Sequence, residues 1–271
     1  MPLVVCLGAM ALLGKVDVSL TAQPPLPMAN LLKNPGLEQM RDGVPEAWHW
    51  STAVPDNFEQ GVTSDGRGGG HCLHIKAKSG VMSGYWSQTI TVVPGKRYLF
   101  VGWYRLRGGK LLAYVHARTR KTQLDQRFYA ASLATIPLVP VFLKPEYVGG
   151  ARPDQWYRMR VPFTPPEGMK AVTVSVGMYF TPGEVWYDDL SVIEAVTTLA
   201  LDVRADKDLR RVTLLRQGQQ KPVWDTGKLA AGVRHVARTV RATADGVYLL
   251  RAEARDGEVA EARCPGGTSD E

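Results

Sequence analysis

Ala171-Val172-Thr173-Val174-Ser175-Val176-Gly177-Met178-Tyr179-Phe180 decides the fold. Val172, Val174, Val176, Met178 and Phe180 fall on one side of an extended chain, and Thr173, Ser175, Gly177 and Tyr179 on the other. Side chains alternate with period two in a strand, so the first set predicts a core face and the second a polar sheet surface carrying one aromatic. Working outward, residues 71–77, 86–93, 98–106, 111–117, 156–163 and 185–193 are further short apolar or alternating runs, and no long segment has the 3.6-residue period of a helix. Pro94-Gly95-Lys96, Arg107-Gly108-Gly109 and Pro165-Pro166-Glu167-Gly168 separate them, supplying the fixed or positive φ that turns require. The expectation is an all-β sandwich. Between Arg118 and Asp154 the pattern weakens into a long connection with Phe128, Tyr129, an apolar stretch at 136–143 and Tyr147, expected to form an ordered flap.

A second unit begins near Thr197. Runs at 199–203, 211–216, 222–225, 234–241 and 246–254 predict a small immunoglobulin-like β-sandwich over residues 197–262, with 263–271 as a tail. The whole chain has 271 residues, enough for two modest domains, and its 45% hydrophobic and 22% charged residues exclude a disordered or collagen-like protein. The net charge of +7 is not gathered into a basic run or arm, so no nucleic-acid partner is expected. Three scattered cysteines cannot form a disulfide framework. The apolar stretch at 3–14 is too short to span a bilayer as a helix, so no membrane span is expected. Followed by polar sequence and the Pro-rich residues 23–27, it makes 1–29 a leader or disordered segment and predicts a secreted or cell-surface protein.

The segment Asn30-Leu31-Leu32-Lys33-Asn34-Pro35-Gly36-Leu37-Glu38, followed by Val44-Pro45-Glu46-Ala47-Trp48, opens an ordered series. It continues with Gly69-Gly70-His71-Cys72-Leu73-His74-Ile75, then Gln88-Thr89-Ile90-Thr91-Val92-Val93-Pro94-Gly95-Lys96-Arg97-Tyr98, the run at 156–166, and Val185-Trp186-Tyr187-Asp188-Asp189-Leu190-Ser191-Val192. In this order and spacing the region 30–196 resembles carbohydrate-binding modules of the four, nine and twenty-two type. The resemblance implies a galactose-binding-like jelly roll, no catalytic machinery, a polysaccharide or glycan partner, and a structural calcium. It also implies the calcium ligands: the backbone of Gly36, Glu38 and Asp188, with carbonyls of the loop from Asp65 to His71. Adjacent strand residues point oppositely, so only one of Asp188 and Asp189 can face such an ion. The tail unit, through Pro222-Val223-Trp224-Asp225-Thr226-Gly227, Leu229-Ala230-Ala231-Gly232 and 245–251, resembles the immunoglobulin-like domain of flagellar hook-capping proteins and of secreted-protein C-terminal tails. That likeness implies a spacer, or a contact with a cell surface or protein partner.

Sugar recognition needs aromatic faces against pyranose C–H patches and a few polar groups for the hydroxyls. Of the aromatics, only Trp224 and Tyr248 lie in the tail unit, so recognition is expected in the first. Trp103, Arg105, Tyr114 and Tyr179 are the predicted contacts. His71, Cys72 and His74 are the sole cluster of soft ligands, but strand alternation turns His71 and Cys72 apart and favours a structural role. No Gly-x-Ser-x-Gly, phosphate loop or His-Glu-x-x-His occurs, so no catalytic residue is predicted and the chain is expected not to be an enzyme. The function expected is non-catalytic polysaccharide binding by a bacterial secreted or surface protein. The alternative is a structural or adhesive protein–protein module without sugar binding.

Overall fold

The computed structural model of the chain describes residues 16–23, 29–132, 147–243 and 246–265. The chain divides into two units, Ala29–Glu194 and a second composed of Met1–Met28 with Ala195–Glu271. In chain order the strands are β1 (Val16–Gln23), β2 (Met40–Arg41), β3 (Val44–Pro45), β4 (His49–Thr52), β5 (Phe58–Thr63), β6 (Cys72–Ala77), β7 (Gly84–Thr91), β8 (Tyr98–Arg107), β9 (Lys110–Arg118) and β10 (Gln123–Ser132). They continue as β11 (Tyr147–Ala151), β12 (Trp156–Phe163), β13 (Ala171–Met178), β14 (Gly183–Glu194), β15 (Val196–Ala205), β16 (Leu209–Arg216), β17 (Trp224–Asp225), β18 (His235–Thr243), β19 (Val247–Ala254) and β20 (Val259–Pro265).

The first unit is a jelly-roll sandwich. A six-stranded sheet in the order β11-β10-β9-β13-β7-β4 faces a five-stranded sheet, β12-β8-β14-β6-β5. β13 occupies the middle of the six-stranded sheet, and Val172, Val174, Val176 and Met178 all face the core, as their parity predicts. They meet Phe100, Leu106 and other inward residues of the opposite sheet, each fully buried aliphatic side chain contributing about 1.5–3 kcal/mol. Phe180 departs from the predicted face. β13 ends at Met178, and a positive φ of 46° at Phe180 turns the chain back and leaves that ring 46% exposed. The long connection expected from Arg118 is also overturned, because a tight turn at 119–122 leads directly into β10, paired with β9 along its length. Residues 133–146, which hold most of the expected flap, lie outside the described residues, as do the side chains of 147–150.

The second unit has two antiparallel sheets, β1-β15-β18 and β17-β16-β19-β20. Val16, Leu20, Leu199, Leu201, Leu214 and Leu250 are buried between them. Tyr248, at the start of β19, accepts the Thr243 N–H (2.8 Å) and donates to the Thr243 carbonyl (2.9 Å), tying the turn that leads into the strand.

Two boundary expectations are corrected here. Residues 16–23, expected within a leader or disordered segment, form β1, which pairs with β15 in register from Val16↔Ala205 to Gln23↔Thr198. The physical reason is its own alternation: Val16 and Leu20 are buried while Asp17 and Ser19 are exposed. The small sandwich therefore does not simply follow the jelly roll; the jelly roll is inserted between its first and second strands. Cys264, expected in a frayed tail, lies in β20 opposite Tyr248 and is buried. Residues 1–15 and 266–271 lie outside the described residues.

An insertion must bring its own ends together. Asn30 does so with both halves of its amide: Nδ2 donates to the Leu190 carbonyl (3.1 Å), and Oδ1 accepts from Val192 N–H (2.9 Å). Leu31 N–H adds a bond to the Val192 carbonyl at 2.9 Å.

Candidate functional site

Residues directly opposite in an antiparallel ladder share a face, so register assigns each predicted contact to a surface. On the six-stranded sheet, Ser175 pairs with both Tyr114 and Ser87, Gly177 with Leu112 and Tyr85, and Tyr114 with Arg127. On the five-stranded sheet, Arg105 pairs with Trp156 and Trp186, and Trp103 with Arg158 and Asp188. The four predicted contacts thus separate: Tyr114 and Tyr179 belong to the outer face of one sheet, Trp103 and Arg105 to the outer face of the other. The structure does not bring all four into one site.

The face around Trp103 and Arg105 is already occupied by its own side chains. Across four strands runs a row of Trp156, Arg105, Trp186 and His74, in which the Arg105 guanidinium lies 5.1 Å and 4.3 Å from the Trp156 and Trp186 ring centroids, and His74 stacks 5.0 Å from Trp186. Arg105 also pairs with Asp65, and Arg67 covers Trp103 at 3.9 Å while bonding Asp189 at 3.0 Å. Beside this row Arg107, Glu184, Lys76 and Glu59 form a chain of ion pairs at 3.6, 3.9 and 3.2 Å. Cation–π and ionic contacts engage these groups with one another, and Trp186 is buried among them while Trp103 and Trp156 remain partly exposed.

The six-stranded face is built differently. Tyr85 meets Tyr114 edge-on at 5.2 Å, His116 stacks on Tyr114 at 4.6 Å, and Tyr179 packs on Tyr129 at 5.4 Å. Tyr85, Tyr114 and Tyr179 remain partly exposed, while Tyr129 is buried. Gly177 makes room for the Tyr85 ring, because a Cβ there would overlap the Gly84 carbonyl and that ring. Beside the rings on the same face lie small hydroxyls, among them Ser87 and a Thr89–Thr173 pair at 2.9 Å. Arg127 grips Asp125 with two bonds (2.7 and 2.6 Å) and donates to the Tyr129 hydroxyl at 2.9 Å. Burial pushes the phenols of Tyr85 and Tyr114 upward and His116 downward, so all three are neutral at physiological pH. Sequence reasoning missed Tyr129, Arg127 and Asp125 as site residues by placing them in the long connection; the signal available was the alternation of Leu124, Phe128 and Ala130 against Asp125, Arg127 and Tyr129.

At the sandwich edge, Glu38 and Asp188 both clamp the loop between β5 and β6. Glu38 Oε1 accepts the His71 N–H (2.9 Å) and Oε2 lies 2.6 Å from His71 Nδ1, while Asp188 Oδ2 accepts the Arg67 N–H and Oδ1 the Asp189 N–H. Asp188 is the buried member of its pair, lying opposite Trp103 on the outer face and covered by the loop, and a bulge with φ of +50° at Asp189 breaks the alternation and leaves the second carboxylate exposed. Burial raises the Asp188 carboxyl above its ordinary value, against the pull of its two N–H donors. The His71 N–H holds Glu38 below its own.

Oxygen atoms converge on Gly66 in this loop. A Cβ built on it would lie 2.6 Å from the Gly70 carbonyl oxygen, 2.8 Å from Asp188 Oδ2 and 2.9 Å from the His71 carbonyl oxygen. That cradle excludes any side chain and offers the hard oxygen donors that calcium takes. Each carboxylate oxygen already accepting an N–H keeps a second acceptor site. The donors fit calcium: Asp188 and the Gly70 and His71 carbonyls face this cradle, Glu38 Oε1 lies against Gly70 of the same loop, and the expected Gly36 carbonyl is two residues before Glu38. Gly36 stays in the preceding turn, closed by the Leu37 N–H on the Asn34 carbonyl at 3.2 Å. Among the described residues no three His, Cys, Asp or Glu side chains gather as a metal site by themselves, so backbone carbonyls would have to complete the shell. Cys72 faces Thr63 Oγ1 at 3.2 Å, and burial pushes its thiol up to about 11.

No protein-family model and no characterised relative matches the sequence. Solved structures similar to the chain do include carbohydrate-binding modules. One is a family 61 module in complex with β-1,4-galactotriose (16% identity, 61% of this chain and 99% of that one, TM-score 0.40). Another is the xylan-binding family 22 module from Paenibacillus barcinonensis (13% identity, 62% and 95%, TM-score 0.43). A third is the enzymatically active domain of bacteriophage CBA120 tailspike protein 4 (11% identity, TM-score 0.44), of which this chain spans about one fifth, 21%, while 61% of its own length is covered. At these scores the likenesses carry no argument about ligand or activity. Among the described residues no helix is long and apolar enough to cross a membrane.

Proposed function

We propose that the jelly-roll unit is a non-catalytic glycan-binding module and that its ligand lies on the outer face of the six-stranded sheet. The observation that carries this is the cluster of partly exposed tyrosines Tyr85, Tyr114 and Tyr179, with hydroxyls beside them, on a sheet whose pairing fixes the spacing of the rings. Such a surface offers stacking planes and hydrogen-bond partners, which supports retention of a polysaccharide outside the cell. Calcium held by Glu38, Asp188 and the neighbouring carbonyls serves stability in this reading, since the clamp lies at the sandwich edge and ties the start of the unit to its last strand.

Affinity electrophoresis against a panel of soluble polysaccharides, acidic and neutral, tests the assignment. Tyr114→Ala and Tyr179→Ala are expected to weaken retardation by roughly tenfold or more, as loss of an aromatic anchor does, while Trp103→Ala leaves it nearly unchanged. A folded protein retarded by no glycan would favour the structural, adhesive role instead. Loss of binding in Trp103→Ala alone would move the site to the opposite sheet.

A further inference from the structure

The charges on the tyrosine face are unevenly distributed. β9 places Lys110, Leu112, Tyr114, His116 and Arg118 on it, and β10 opposes them with Ala131, Tyr129, Arg127, Asp125 and Gln123. Among the described side chains of this face, Asp125 is the sole carboxylate, and both of its oxygens are taken by Arg127. Among the described residues no carboxylate pairs with Lys110. Its ammonium lies 5.6 Å from the Tyr179 ring centroid, half-buried at the edge of the tyrosine cluster. Arg118 stands exposed at the other end of the same strand, with no acidic partner among the described residues. Eight residues of extended chain separate the two cations, about 27 Å. The opposite sheet shows the contrast, for there Arg67, Arg105 and Arg107 each meet an aspartate. A partly desolvated ammonium without a counterion is a group lacking the partner that burial ordinarily demands.

Resting on the reading of this face as a glycan site, we infer that its ligand is an acidic polysaccharide, whose anionic substituents are held by Lys110 at one end of the tyrosine cluster and by Arg118 at the other. The neutral rings between them carry the sugar backbone, and the cations select for charge. The shared chemistry is an anionic oxygen cluster, which a uronate carboxylate or a sulfate ester would equally supply.

The test uses the full chain and four probes: polygalacturonate, its fully methyl-esterified form, dextran sulfate and dextran. The wild-type chain is expected to bind one acidic polymer at least tenfold more tightly than the matching neutral one, the preference for polygalacturonate or dextran sulfate identifying carboxylate or sulfate. Lys110→Gln and Arg118→Gln should each weaken that binding about tenfold, as loss of one charge-assisted contact does, and should leave binding to the neutral polymer unchanged. Because the whole chain is basic, Arg238→Gln, which removes an exposed charge from the small sandwich, serves as the control. Equal loss in Arg238→Gln would show diffuse attraction and overturn the proposal. Binding to the neutral polymers alone would also overturn it while leaving the glycan site standing, and binding to no polysaccharide at all would remove both.

Discussion

His116 shows how burial on a binding face becomes a pH response. It stacks on Tyr114, with Asp125 and Arg127 facing it from β10 and Thr173 from β13, and burial holds its imidazole below the ordinary value. His74, stacked on Trp186 and facing Glu184 and Lys76, is lowered for the same reason. A histidine depressed in the folded state takes its proton later than in the unfolded chain. Its stabilising contribution is therefore complete above about 6.5 and is lost as the pH falls through that value toward the depressed one. Denaturant midpoints of the jelly roll should accordingly decline between pH 7.5 and 5.5, and His74→Gln/His116→Gln should flatten the decline; an equal slope in that variant would refute the attribution. Parity made Tyr114 and Tyr179 readable from sequence, since an outward aromatic on a clean strand can be assigned to a face. It could not say which sheet each strand joins, so Trp103 and Arg105 were grouped with residues of the opposite surface. Asp188 and Asp189 show the limit of the same rule, because the bulge that breaks their alternation has no local pattern to mark it.

At the scale of single strands, what the sequence reveals depends on how cleanly the two faces differ. β12 was legible to the residue and β13 up to its C-terminal end, where the positive φ of Phe180 ends the pattern. β10 was obscured because its outward Asp125 and Arg127 satisfy each other and its buried Tyr129 faces away from the core, so polarity and burial do not coincide. β1 was obscured for another reason: an apolar stretch precedes it, and its partner lies far away in sequence, Leu20 pairing with Leu201. One device recurs at strand entries. The hydroxyls of Tyr98, Tyr157 and Tyr248 each accept the N–H of the residue five positions earlier, tying the incoming turn to the strand. If β1 belongs to the small sandwich, Leu20→Asp, which puts a carboxylate where a side chain is 1% exposed, should cost about 3 kcal/mol or more. Hydrogen exchange would show it as lost protection of β15 amides with the jelly-roll strands unaffected; retained protection of β15 would exclude β1 from that sheet.

Two cores, each with its own cluster of buried side chains, make the molecule two cooperative bodies threaded on one chain. Calorimetry is expected to show two transitions. Millimolar calcium should raise only the one belonging to the jelly roll, by the mass-action increment of a ligand that binds the folded state alone, and EDTA should reverse it. Failure of calcium to move either transition would mean that the N–H donors of the loop suffice for Glu38 and Asp188. The division into two units was visible in the sequence; the insertion was not, because nothing local to β1 names its partner. That insertion also sets an order of events during synthesis. β1 leaves the ribosome first and waits for β15 through about 170 residues of translation, roughly ten to thirty-five seconds at ordinary elongation rates. Its exposed Asp17 and Ser19 make the wait tolerable for a strand with one apolar side. Meanwhile the jelly roll folds, and Asn30 draws its two ends together, so the loop that β1 must close shrinks from the whole insert to a few linker residues, easing closure by about 3 kcal/mol. Pairing of β1 with β15 then registers, at the end of the chain's assembly, that everything between them has already folded.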